Sequence, residues 1–453
     1  MCNTNHLKFY MLLILLQIAA FSASAQTASR ILIRTGHILD VKTGAEPAAQ
    51  TIIVTGDRIT AIAPTASIPR QSGDTEIDLT KYTVMPGLID VHTHLTMANN
   101  FDPYFELSMT PAKEAIIGVE NAKVTLEAGF TTVRNVGAND YTDVALRDEI
   151  NAGHIPGPHM QVSGPALGIT GGHMDENLLP YEYHIHGEAV ADGIPAVQHQ
   201  VRENIKYGAD LIKIASTGGV LSKGDDPQAS QYTMEELQAI VADAHRLGRK
   251  VASHAHGAQG ILWATEAGVD SIEHGSYIND ECIAAMKKHG TYLVPTAYLV
   301  DWMQQYGHLP LIYQQKMADV SAAMKANHKK AIAAGVKVAL GTDAAVYPHG
   351  LNAHEIDVYV NEYGMSPLAG IQTGTINAAD LMGWTDRIGT IEPGKWADII
   401  AIDGDPLKDV RILQHVNFVM KSGVVYKNDP NPKATNQASV TATINPLTAI
   451  GDW

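Results

Sequence analysis

The sequence predicts an α/β protein, a (β/α)8 TIM barrel with a small β-sandwich domain built from both chain ends. Three observations carry that prediction. The middle of the chain alternates short apolar β-type runs with longer helical patterns, and both ends are β-rich and broken by turns. At 453 residues the chain is also long enough to bury one large barrel-type core.

Residues 1–25 read as a signal peptide. Lys8 precedes an apolar run that begins at Met11 and ends at Phe21, and Ser22-Ala23-Ser24-Ala25 supplies small residues for cleavage before Gln26. The run is too short to span hydrocarbon comfortably, so export to a periplasm or the medium is expected, with no membrane anchor afterwards. Cys2 leaves with this segment and Cys282 is then the lone thiol. No intrachain disulfide can form, and any bound metal must take nitrogen and oxygen ligands.

Residues 26–83 are expected to form the first part of the sandwich. Runs at 31–34, 51–54 and 58–62 are separated by Thr43-Gly44 and Gly56-Asp57. The same style returns over 388–428, so the two ends are expected to build one domain. Residues 429–453 are polar and proline-bearing, and read as an extended or mobile tail.

Residues 84–387 read as the barrel. Strand-like runs fall at 84–91, 131–133, 160–162, 211–214, 251–253, 271–272, 292–294 and 336–340. Between them lie helical patterns such as 321–334 and 233–247, the latter opened by a capping box of Thr233 and Glu236. Parallel strands need helical crossovers, so eight such units predict a closed barrel. Gly129, Gly208, Gly268, Gly290 and Gly335 each stand ahead of a strand and suit left-handed helix ends.

The charge balance excludes some partners. With 48 acidic against 32 basic residues the net charge is −16, which argues against nucleic acid or an anionic membrane as the main partner. A homo-oligomer is compatible with the sequence but not required by it.

Barrel enzymes carry their chemistry at the C-terminal strand ends. There the sequence places His92 and His94, then Lys213, then His254 and His256, then His274, then Asp343. An H-x-H triplet alone is weak evidence, and three occur. His184 and His186 lie in a tyrosine-rich stretch with no strand beneath them and read as polar surface. The pair His92/His94 differs in its company, because four separate strands bring nitrogen or carboxylate to one end of one barrel. Such a set suits zinc, with manganese, cobalt or iron as other choices. Lys213 stands between Ile212 and Ile214, where a buried ammonium is costly. Burial lowers its pKa, and the neutral amine can take up carbon dioxide to give an anionic carbamate.

These motifs resemble a known family. Val84-Met85-Pro86-Gly87-Leu88-Ile89-Asp90-Val91-His92-Thr93-His94 is similar to the opening signature of the amidohydrolase superfamily, and the order H-x-H, Lys, His, His, Asp resembles its binuclear, carboxylated-lysine subtype. Lys213-Ile214-Ala215-Ser216-Thr217-Gly218-Gly219, Ser253-His254-Ala255-His256-Gly257, Ser271-Ile272-Glu273-His274-Gly275 and Gly341-Thr342-Asp343 resemble the Xaa-Pro dipeptidase-like branch, which includes ochratoxin amidohydrolases. The resemblance implies that His92, His94 and Asp343 hold one divalent ion and His254 and His274 the other, bridged by carboxylated Lys213. Pattern alone leaves His254 and His256 equivalent; the resemblance favours His254 as the ligand.

It also implies amide hydrolysis of dipeptides or N-acyl amino acids by a hydroxide between the metals, with Asp343 as general base and then acid. His256 and His173 are candidates to meet the carbonyl oxygen, and Tyr232 and Arg134 a substrate carboxylate. Arg134-Asn135 departs from the Arg-Asp common in the family and puts a local hydrogen bond in doubt. The main rival is a cyclic-amide hydrolase of imidazolonepropionase or dihydroorotase type. A mononuclear deaminase would lack Lys213, and a non-catalytic binding protein on the same barrel would have lost ligands.

Overall fold

The computed structural model describes residues 29–102 and 104–430. The expected signal peptide and most of the expected tail lie outside the described residues. The N-terminal stretch forms β1 (Arg30–Ile38), β2 (Gln50–Thr55), β3 (Arg58–Pro64) and β4 (Thr75–Pro86). The middle supplies β5 (Leu88–Thr93), β6 (Phe130–Asn135), β7 (His159–Val162), β8 (Leu211–Ala215), β9 (Lys250–Ala255), β10 (Ser271–His274) and β11 (Tyr292–Val294). Then come β12 (Ile399–Ile402), β13 (Phe418–Lys421) and β14 (Val424–Asn428).

The two chain ends meet in one seven-stranded sheet of order β14-β13-β12-β4-β1-β2-β3. β4 is the meeting place, parallel to β1 (Ile33↔Ile77) and antiparallel to β12 (Ile400↔Met85). Ile33, Ile52, Val54, Ile59, Ile399 and Phe418 pack into a single buried cluster. Each such side chain contributes about 1.5–3 kcal/mol on leaving water.

The middle strands form two parallel sheets, β5-β6-β7 and β11-β10-β9-β8. Helices Pro111–Glu127, Thr142–Asn151, Ile194–Lys206, Met234–Arg246, Ala258–Ala267 and Asp280–His289 follow β5 to β10 in turn. After β11 come two, Tyr298–Tyr306 and Leu311–Ala333. Thr233 and Glu236 form the expected reciprocal capping box, and all five expected glycines have positive φ. Among the described residues no helix is long and apolar enough to cross a membrane.

Three boundaries differ from expectation. The first barrel run is split, because residues 84–86 complete β4 and β5 starts at Leu88. Gly87 is the junction: its N–H donates to the Asp398 carbonyl just ahead of β12, and the Leu88 N–H donates to the Gly129 carbonyl just ahead of β6. A Cβ at Gly87 would lie 2.1 Å from Thr131 Oγ1, so only glycine lets the chain pass. The helix expected over 321–334 spans Leu311–Ala333, since Pro310 supplies its start and Tyr313, Met317, Val320 and Met324 continue its buried face upstream. The eighth run, 336–340, makes no ladder. It is extended and held by one bridge, Leu293↔Val338, because the Leu340 N–H turns to Thr373 while the Leu340 carbonyl accepts from Val91.

Candidate metal centre

The C-terminal ends of β5, β8, β9 and β10, with the turn at 341–347, bring the histidines together. The H-x-H spacing puts His92 and His94 on one face of β5 and its extension. His92 Nε2 lies 3.3 Å and His94 Nε2 3.1 Å from Asp343 Oδ1. One ligating atom from each of His92, His94 and Asp343 falls within 4.8 Å of the others. The His274 ring centroid is 5.1 Å from that of His92 and 4.7 Å from that of His254. His256 follows at 4.8 Å from His254, and His173 stacks on His254 at 4.2 Å. Lys213 is 1% exposed on β8, and burial pushes its ammonium down to about 8 against the pull of Glu273 and Asp343.

Hydrogen bonds decide which ring nitrogens are free. Burial alone would raise the Glu273 carboxyl, but Arg134, His92 and Lys213 bring it down to about 2. Glu273 is therefore an acceptor only, and the His92 Nδ1 facing its Oε2 at 2.8 Å carries a proton. His94 Nδ1 faces the Gly137 carbonyl and carries one too. Each Nε2 is then a lone pair set against a carboxylate oxygen. Three acceptors this close repel one another unless a cation sits among them, so the donor set fits a divalent metal. On the second side, His254 Nε2 meets the Gly218 carbonyl at 3.2 Å, which leaves its Nδ1 free. His274 Nδ1 meets Thr296 Oγ1 at 2.8 Å, and that hydroxyl donates to Pro295, so His274 Nε2 is the free atom.

Backbone strain concentrates here. His274 has φ +68°, Thr296 +50° and Asp343 +60°, a left-handed region that side-chain-bearing residues seldom occupy. Strand alternation would put Glu273 and His274 on opposite faces. The left-handed turn at His274 breaks that alternation, and both reach His92.

The substrate-facing expectations fare differently. His256 and His173 join the cluster. Arg134 is buried, and its Nε donates to Val91, Nη1 to Ser271 and Nη2 to Glu273, so each of its three nitrogens has a partner within the protein. Tyr232 is buried in the main apolar core with its hydroxyl unpartnered. Asn135 accepts from the Leu95 N–H and donates to Gly137 and Asp143, which resolves the doubt about that position. His184 and His186 are exposed.

Sequence reasoning passed over the supporting residues. Glu273 orients His92, Thr296 orients His274, and Asp90 accepts from Thr342, Asn352 and the His92 N–H, tying β5 to the turn at 341–347. A carboxylate inside an apolar strand, as at Ile272-Glu273, was the available signal.

The amidohydrolase family model matches residues 83–427. The ochratoxinase of Aspergillus niger is 33% identical over 413 residues, 84% of each chain, and its crystal structure superposes with a TM-score of 0.79 at 29% identity. A Xaa-Pro dipeptidase crystallised with methionine in its active site is 37% identical, with a TM-score of 0.83 over 88% of this chain and all of the other. An imidazolonepropionase of Symbiobacterium thermophilum is 25% identical over 406 residues, 82% of this chain and 86% of its own. The family match runs from Thr83 to Lys427 and so through every residue of the cluster: this chain belongs to the amidohydrolase family.

Proposed function

We propose that the protein is a binuclear, metal-dependent hydrolase of the amide bond in dipeptides or N-acyl amino acids. The carrying observation is the convergence of the two Nε2 lone pairs of His92 and His94 on Asp343, with His274, His254 and buried Lys213 alongside. In this reading His92, His94 and Asp343 would hold one ion, and His254 and His274 the other. Lys213, carboxylated by carbon dioxide, would supply a further anionic ligand; its depressed pKa supports that reaction. Zinc suits a site of nitrogen and oxygen donors. When bound, such ions polarise a carbonyl and make hydroxide available near neutral pH.

The chain's own residues do the rest. Asp343 accepts the proton of the attacking water and delivers it to the leaving nitrogen. Glu273 and Thr296 hold the His92 and His274 rings in their ligating tautomers. Relatives named for ochratoxin and for Xaa-Pro dipeptides support a linear amide substrate. A cyclic amide is the second reading, favoured by an imidazolonepropionase relative at lower identity.

We also read the two parallel sheets as parts of one barrel over 84–387. The Leu340 carbonyl accepts from Val91, and Leu167 exchanges hydrogen bonds with Lys213 and Ala215, which supports closure at both seams. The shared apolar cluster of the seven-stranded sheet supports a sandwich made of 26–83 and 388–428. The signal peptide over 1–25, and with it export, rests on the sequence.

A mass-spectrometric hydrolysis screen tests the function, using metal-loaded protein with dipeptides, N-acyl amino acids, ochratoxin-type amides and cyclic amides. Cleavage of a linear amide before its C-terminal residue is expected. Turnover of cyclic amides alone would overturn the proposal.

A further inference from the structure

His173 lies in the loop that follows β7, stacked on His254, and a chain of side chains runs from it through the loop after β8 to Lys316. Its Nδ1 is 2.8 Å from Ser222 Oγ. That hydroxyl has one proton and two acceptors in reach, Asp225 Oδ1 at 2.7 Å and the Gly219 carbonyl at 3.4 Å. The short bond to a carboxylate takes the proton. Ser222 Oγ can then only accept from His173, so the proton of the neutral ring sits on Nδ1.

The carboxylate is itself held. Asp225 Oδ1 accepts from Lys316 Nζ at 2.8 Å, and Oδ2 from the Gly219 N–H at 2.7 Å. The Lys316 ammonium also donates to the carbonyls of Gly219 and Ser222, at 3.0 and 2.7 Å. Lys316 belongs to helix Leu311–Ala333, whereas Gly219, Ser222 and Asp225 belong to the loop after β8.

The ring's place is set by a second, independent contact. A Cβ at Gly219 would fall 2.2 Å from both Cε1 and Nδ1 of His173 and 2.6 Å from Nε2. The φ of Gly219 is not in the left-handed region, so glycine is needed there for the approach of the imidazole and not for the backbone. The His173 backbone N–H is anchored in turn on Gln231 Oε1.

We propose that Lys316, Asp225 and Ser222 are positioning residues that lock His173 as its Nδ1–H tautomer, stacked on His254, so that Nε2 meets the bound substrate as a hydrogen-bond acceptor. Among the described residues no protein group hydrogen-bonds that Nε2. This reassigns His173. A neutral ring in this tautomer cannot donate to a carbonyl oxygen; it receives an N–H or O–H, which selects substrates presenting a donor there. The inference rests on the proposed hydrolytic site, and it links that site to the helix behind β11.

The tautomer is read by nitrogen-15 NMR on full-length, zinc-loaded protein with labelled histidine, the His173 signals being assigned by their loss in His173→Gln. A proton on Nδ1 and a bare Nε2 are expected; a proton on Nε2 overturns the inference. This readout needs neither turnover nor a folded relay variant, so it is decided even if no amide is cleaved. The positioning role is read by kinetics on the amide found in the screen. Lys316→Met should lower kcat/KM by about tenfold or more with zinc content and Tm kept, and Lys316→Arg should restore most of it. Unchanged kcat/KM in Lys316→Met, or an equal loss in Lys316→Arg, removes the role.

Discussion

At the scale of single residues, the centre depends on groups that differ in what they can lose. Asp343 sits at φ +60°, a conformation that asparagine tolerates better than most residues. Asp343→Asn should therefore fold with nearly unchanged Tm while kcat/KM falls by about a thousandfold or more, since both ligand charge and proton acceptor go. Near-normal turnover in that variant would remove Asp343 from its assigned role. Lys213→Ala removes the proposed carbamate, and elemental analysis should then find fewer than two metals per chain. Two retained metals would rule out the carbamate. Glu273→Gln keeps the shape but weakens the grip on His92 Nδ1 and leaves the Arg134 guanidinium without its carboxylate. Metal affinity should drop by about 10- to 100-fold in competition titrations.

These residues differ in how far the sequence exposed them. His92, His94 and Asp343 were legible as types at strand ends, and the structure places them in one group. Glu273 was not, because its importance lies in a contact 181 positions away in the chain. The partners of Arg134 were hidden for the same reason. A buried cation near a predicted site looks like a carboxylate receptor until its three partners are seen.

At the scale of elements, local rules held where a motif carries its own partner. The capping box of Thr233 and Glu236 needs only four consecutive residues, and it forms. Thr233→Ala should cost about 1 kcal/mol in urea denaturation, whereas Thr233→Ser should be close to neutral. An equal loss in both variants would show that the threonine methyl packing, not the cap, matters. Strand limits were less legible, since pairing is a property of neighbours. The run 336–340 has strand composition, yet Leu340 sends its N–H to Thr373 and forms no ladder. Residues 84–86 are as apolar as 88–91, and the glycine between them sends each group to a different sheet.

At the scale of the whole molecule, the chain ends are stitched together by β4 and β12. Truncation after residue 387 would strip β12, β13 and β14 from the sheet and uncover Val84, Ile33 and their neighbours. Such a chain should be insoluble on expression; a soluble, cooperatively unfolding product would show that the two parallel sheets and their helices stand without them. Metal should bind the native state alone, because its ligands are scattered from position 92 to position 343. Chelation should then lower Tm reversibly, by an amount equivalent to about 2.7 kcal/mol at a metal concentration one hundred times the Kd. An unchanged Tm would mean that the native cluster binds no metal, or binds it no better than the unfolded chain does.

The sequence by itself determined the class of fold, the nitrogen and oxygen chemistry and the residue types at the strand ends. Hydrophobic period, helix caps and the absence of thiols are all local or compositional. Only the tertiary structure decided which nitrogen of each imidazole is free, that Arg134 serves Glu273, and that Lys316 reaches His173 through Asp225 and Ser222. Those are matters of who donates to whom across long sequence separations. A proton's position on a ring is fixed by its partner, and the partner is chosen by the fold.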